Sequence, residues 1–233
     1  MLYGWLCAGL LIFLFVAARK RIKLGGTRGP AALVEAAVEF IVNLLEQTLG
    51  DRRKALRYGP IFVTLFFFIM LNNWLGLLPG IGPAIEYGGN PLFRPFTADL
   101  NGTVAMALFG MVLVQVIAIR ESGPKNHLKH YFPMGPLNPL TYLIGAFEIF
   151  TEFTRLLSLG LRLFLNIAIG EVLISVASFL GGPAASLSSL PFTLLEIFVG
   201  ALQAYIFVVL CAAYVSATTV SHEGDKHEEA SHV

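Results

Sequence analysis

The stretch from Asn138 to Leu180 runs for 43 residues with hardly a break in its apolar character. As one helix rising about 1.5 Å per residue it would be roughly 65 Å long, some twice the ~30 Å hydrocarbon thickness of a bilayer. It cannot stand upright in a membrane. Either it is one steeply inclined helix, or it is two spans that reverse near Ser158–Leu161. The reversal has little support, because "SLGL" offers one Gly and no Pro, Asn or Asp. One inclined helix is the expectation. A second overlong stretch, 188–220, would reach about 50 Å, and "GGPAASLSS" between the two closes them into a hairpin centred near Pro183.

The rest of the chain fits the same setting. Of its 233 residues 56% are hydrophobic and 13% charged, which is too apolar for a soluble domain of this length. Residues 2–18, 59–78 and 99–119 each approach or reach the ~20 residues of a membrane-spanning helix. The first has its positive charges after the apolar run and no small-residue cleavage site, so it reads as a retained helix rather than a signal peptide. Residues 30–49 carry Glu35, Glu39 and Glu46 at helical spacing between two basic clusters, with Pro30 at the start and Gly50 past the end. That pattern suits an amphipathic helix lying at the interface. The predicted fold is an all-α integral membrane protein, a single membrane domain over 1–220, with about five membrane helices and one interfacial helix. The segment 79–98 reads as an external loop rich in Gly and Pro, and 221–233 as a disordered tail.

Net charge is only +1, so nothing points to nucleic acid; the distribution of charge is what informs. With five crossings and the N-terminus outside, thirteen of the sixteen Lys and Arg residues fall inside, Arg94 alone falls outside, and Arg155 and Arg162 lie within the 138–180 stretch. This asymmetry predicts an outside N-terminus and a cytoplasmic C-terminus. Cys7 and Cys211, both in apolar helices, read as packing residues. No glycine-rich phosphate loop follows a strand, and His222, His227 and His232 do not share a helix face, so neither a nucleotide site, another cofactor nor a metal is expected.

A charged side chain at membrane depth costs on the order of 2.5–3.5 kcal/mol by insertion scales, which makes each one a functional candidate. At about 100° per residue, Arg155, Ser158, Glu148 and Asn166 lie within about 40° of Arg162, whereas Glu171 lies on the opposite side of the helix. On the last helix Glu196, Gln203 and Tyr214 form one polar stripe. In an antiparallel hairpin Glu171 comes level with Glu196, and Arg162 comes within a turn of Gln203. Two nearby carboxylates suit proton carriage. Arg162 cannot deprotonate and can act only as a fixed charge. The structural alternative for Arg155 is an ion pair with Glu152 or Glu148, and for Asn72, Asn73 and Trp74 it is interhelical hydrogen bonding.

"SLGLRLFLNIAIGEVL" together with "EIFVGALQAYIFVVLCAAYVS" resembles the paired signature of subunit a of F-type ATP synthases, the stator beside the rotating c-ring. "AALVEAAVEFIVNLL", "LNNWLGLLPG" and "TADLNGTVAMAL" follow the same order and spacing, so the resemblance covers nearly all of 1–220. It implies that Arg162 faces the rotor and displaces the proton from each c-subunit carboxylate. It also implies that Glu171, Glu196, Gln203 and Asn166 line or support the half-channels, with Asp99, Glu148, Ser158 and Tyr214 as further lining positions. The implied partners are c-ring subunits, peripheral-stalk b subunits and lipid, in a heteromeric complex of the bacterial plasma membrane, with ATP chemistry left to those partners. Leu165 stands where many members have Gly, and Glu occupies both positions at which some pair a His with an acid. The chain also begins directly at its first span. A stand-alone channel or secondary transporter using the same charges is the rival reading. It sits less well with one lopsided polar face and no visible internal repeat.

Overall fold

The computed structural model describes residues 2–23, 30–77, 86–87, 90–91, 96–123 and 139–231. Among them are six α-helices: α1 (Leu2–Lys23), α2 (Pro30–Leu49), α3 (Arg52–Gly76), α4 (Leu100–Ser122), α5 (Pro139–Gly181) and α6 (Ala185–Ser231). A two-residue antiparallel pairing joins β1 (Glu86–Tyr87) to β2 (Asn90–Pro91), and 3-10 turns cover Phe96–Ala98 and Gly182–Ala184. Arg94 and the basic loop with His127 and His130 lie outside the described residues.

Among the described residues three stretches are long and apolar enough to cross a membrane: Arg52–Gly76, Leu100–Glu121 and Gly145–Ala217, the last holding most of α5 and α6. Gly4–Val16 in α1 is a shorter apolar run. The all-α membrane architecture read from the sequence is the one observed. α5 is one unbroken helix of 43 residues that passes straight through Ser158–Leu161, so the reversal does not occur. Its end is set by Gly182, whose φ of 49° is the left-handed conformation a glycine adopts freely. Across this turn Ser188 Oγ donates to Ala177 O at 2.7 Å, fastening the hairpin.

Several helices run past their apolar segments. α1 continues over the basic residues to Lys23, α3 starts at Arg52 rather than near 59, and α6 is helical to Ser231. Adding a residue to an existing helix avoids the nucleation cost that a free peptide must meet, so polar segments can be carried on from an apolar rod. Caps fix two of the starts: Asp51 Oδ1 accepts from Arg53 N at 2.8 Å, and Asp99 Oδ1 accepts from Asn101 N at 3.0 Å.

The interior lies where α3, α4, α5 and α6 meet, with Phe62, Ile69, Leu163, Phe207 and Val208 fully buried. α2 packs on α3 and α6, burying Ile41 and Leu45 and leaving Glu35 and Glu39 exposed. Cys7 and Cys211 are both free and buried. Asn73 Nδ2 donates to Gly200 O at 3.0 Å and Trp74 Nε1 to Ile197 O at 2.9 Å, tying α3 to α6. Asn72 Nδ2 bonds within its own helix, to Phe68 O at 2.8 Å.

Candidate functional site

The buried side of α5 is marked by Leu159, Leu163, Ile167, Gly170 and Ala177, a ridge centred about 80–100° round the helix from Arg162. Arg162 therefore stands on one flank of the hairpin and Glu171 on the other, and both are exposed. Around Arg162 the flank is apolar and open: Leu161, Leu165, Ile169 and Leu173 are between 41% and 55% exposed, with Ser158 exposed among them. Among the described residues Arg162 has neither a hydrogen-bond nor an ion-pair partner.

The register of the hairpin follows from three contacts. Ser188 reaches Ala177, the Glu196 carboxylate lies against Gly170, and Arg155 stacks over the ring of Tyr214 at 4.0 Å. Interpolating between them puts Gln203 beside Leu163, next to Arg162. It also puts Glu196 level with Glu171, within electrostatic range of it. The polar stripe of α6 thus faces α5.

Four side chains here carry buried polar atoms with no hydrogen-bond partner among the described residues: Glu196 Oε1, Gln203 Nε2, Asn166 Nδ2 and Thr97 Oγ1. Glu196 and Gln203 are 6% and 5% exposed. Buried polar atoms are nearly always satisfied, and an unpaired one costs about 1–3 kcal/mol, so a group of them marks a place built for something other than packing. Thr97 belongs to the 3-10 turn that packs on α4 and α5. Asp99, in turn, is exposed and spends a carboxylate oxygen capping α4.

A second polar group lies farther along the hairpin, toward the N-terminus of α5. Gln115 Nε2 of α4 donates to Glu152 Oε1, and Arg155 covers Tyr214. Together with Leu159 and Cys211 these residues line a narrow crevice. Glu148 is half-buried a turn before Glu152. A stacked guanidinium keeps its charge while gaining about 0.5–2 kcal/mol from the ring, so Arg155 is held by an aromatic partner on the facing helix.

Three participants were not picked out from the sequence: Gly170, Gln115 and Glu152 as the partner of Gln115. A glycine inside a helix costs about 1 kcal/mol relative to Ala, and one with no turn to make signals a close approach. Gly170, just before Glu171, is such a residue. A Cβ there would lie within 2.5 Å of both Glu196 carboxylate oxygens.

The family model "ATP synthase A chain" matches residues 1–216. ATP synthase subunit a of Anaeromyxobacter dehalogenans is 35% identical over 97% of this chain, which spans 58% of that relative's length. The corresponding proteins of Geotalea uraniireducens and Geobacter sulfurreducens are 33% and 32% identical over 93% of this chain, which spans 85% of each.

Proposed function

Because the chain belongs to the ATP synthase A chain family, we propose that it is the proton-conducting stator of an F-type ATP synthase, with Arg162 as the charge that separates two offset half-channels. The observation that carries this reading is Arg162 itself, an exposed guanidinium without a partner among the described residues on an otherwise apolar membrane flank. Left in hydrocarbon, such a charge costs at least about 2.5–3.5 kcal/mol. A rotor helix that presents a carboxylate to it removes the cost.

Each rotor carboxylate arrives protonated, because it has crossed lipid. On meeting Arg162 its ionised form is favoured, and the proton leaves toward one half-channel. Arg162 cannot relay that proton, since a guanidinium offers only donors and no acceptor lone pair, and so protons cannot pass along the hairpin from one half-channel to the other. The outer path reaches the rotor through Glu171, Glu196, Asn166 and Gln203. The inner path leaves past Ser158 toward Glu148, Glu152 and Tyr214. Each proton that descends 100 mV releases about 2.3 kcal/mol to the rotor. The partners are c subunits and the peripheral-stalk b subunits, the N-terminus lies outside, and the host membrane is a bacterial plasma membrane.

Glu196→Gln tests the outer path. The amide keeps the shape of the carboxyl group and removes its titratable proton, so ATP-driven acidification of inverted vesicles should fall by about a hundredfold, the low end of what a positioned acid or base contributes. Subunit levels should stay normal. Pumping at the unaltered rate would move the path away from Glu196.

A further inference from the structure

Away from the hairpin, the paired ends of α3 and α4 form a separate charged cluster. Glu121 accepts a hydrogen bond from Tyr58 Oη at 2.5 Å, and its carboxylate lies 3.6 Å from Lys54 Nζ and 3.8 Å from Arg57 Nη1. Arg120 is close enough to act on the same phenol and is exposed. The Arg57 side chain is 68% exposed, whereas that of Glu121 is 16% exposed. One sheltered carboxylate thus meets two cations, with a third beside the phenol it binds, and Arg57 and Arg120 reach outward.

Directly beneath them a groove of about 540 Å³ runs between α3 and α4, lined by Pro60, Ile61, Thr64, Phe68 and Phe109 among others. On α3, Arg57 shares its helix face with Pro60, Ile61, Thr64 and Phe68, all within about 60° of it. On α4, Arg120 lies about 20° from Phe109. Each helix therefore carries a cation at the same end of the same apolar face. The one hydroxyl among these groove residues, Thr64 Oγ1, donates to Pro60 O at 2.7 Å, so the groove offers apolar surface throughout.

We propose that this cluster and groove form a specific site for an anionic phospholipid, its phosphate between Arg57 and Arg120 and one acyl chain along the α3–α4 groove. The charge pattern favours this occupant over a partner helix. Positive surplus is confined to the end where headgroups lie, and nothing below it can hydrogen-bond a polar helix face. Basic pockets between membrane helices are a recognised mode of headgroup capture. The site lies apart from Arg162 and does not depend on the proposed proton path.

The test uses the full chain in phosphatidylcholine nanodiscs that contain a minor fraction of phosphatidylglycerol, with retained lipid read by native mass spectrometry. The chain should retain phosphatidylglycerol preferentially. Arg57→Gln/Arg120→Gln should lower that preference by roughly fivefold per cation removed. Thr64→Trp, which fills the groove and keeps both cations, should also lower it. Equal retention of the two lipids, an unchanged preference in both variants, or displacement of the lipid by inorganic phosphate alone would overturn the site. So would an Ile61→Cys cross-link to another subunit's membrane helix in the assembled complex with no lipid retained, which would assign the groove to a protein partner.

Discussion

Replacing Arg162 with Ala is expected to abolish both ATP-driven proton pumping and proton-driven ATP synthesis while leaving the subunit folded. Two opposite charges about 4 Å apart at an effective dielectric of ~20 attract by roughly 4 kcal/mol, so losing one of them should slow release of the rotor proton by about a thousandfold. Stability should change little, because Arg162 is exposed and makes no partnered contact among the described residues. Passive proton leak should rise, since the fixed charge also blocks the direct path. Arg162→Lys separates charge from permanence. A lysine in this setting can lose its proton, so this variant should pump poorly and leak. The measurements are ATP-driven quenching of a pH-sensitive dye and passive proton uptake under an imposed potential. Coupled pumping at the normal rate in Arg162→Ala would remove the arginine from the mechanism.

The second large effect is expected at Gly170. A methyl group there would overlap the Glu196 carboxyl, yet that group is the end of a flexible side chain rather than backbone. Gly170→Ala should therefore displace the carboxylate instead of unfolding the hairpin. A displacement of about 1 Å can cost on the order of a hundredfold in a positioned reaction, and pumping should fall accordingly with subunit levels preserved. Adding Glu196→Asp shortens the acid by one methylene and should restore part of the activity. A merely structural glycine would show no such rescue, and unchanged pumping in Gly170→Ala would detach Glu196 from the path.

Much of this architecture was legible beforehand because membranes impose lengths. A 43-residue apolar run can be only an inclined helix or two spans, and the lack of turn residues at "SLGL" decided between them. The level pairing of Glu171 with Glu196 followed from the hairpin centre at Pro183, since antiparallel helices count residues equally in both directions. What stayed hidden depended on which side chains meet in space. Counting placed Arg155 near Glu152 along one helix, whereas its aromatic partner Tyr214 lies on the facing helix. Arg162 was legible as a charge at membrane depth, but its exposure on an open apolar flank could be read only once the buried ridge of α5 was known. Gly170 needed the position of Glu196 as well as its own sequence context. Helix ends were overrun because polar residues extend a helix that apolar packing has already nucleated.

The most direct test of the rotor-facing assignment is a disulfide scan along α5. Leu165→Cys and Ile169→Cys lie within about 60° of Arg162 on the open side, with 48% and 55% exposure, while Ser175→Cys lies on the flank of Glu171. Cys7 and Cys211 are buried and should not compete. With a cysteine placed beside the rotor carboxylate, mild oxidation should join Leu165→Cys or Ile169→Cys to the c subunit, stop ATP-driven pumping, and release it again on reduction, while Ser175→Cys stays unlinked. Cross-linking of the rotor to Ser175→Cys alone, with none at Leu165→Cys or Ile169→Cys, would contradict it.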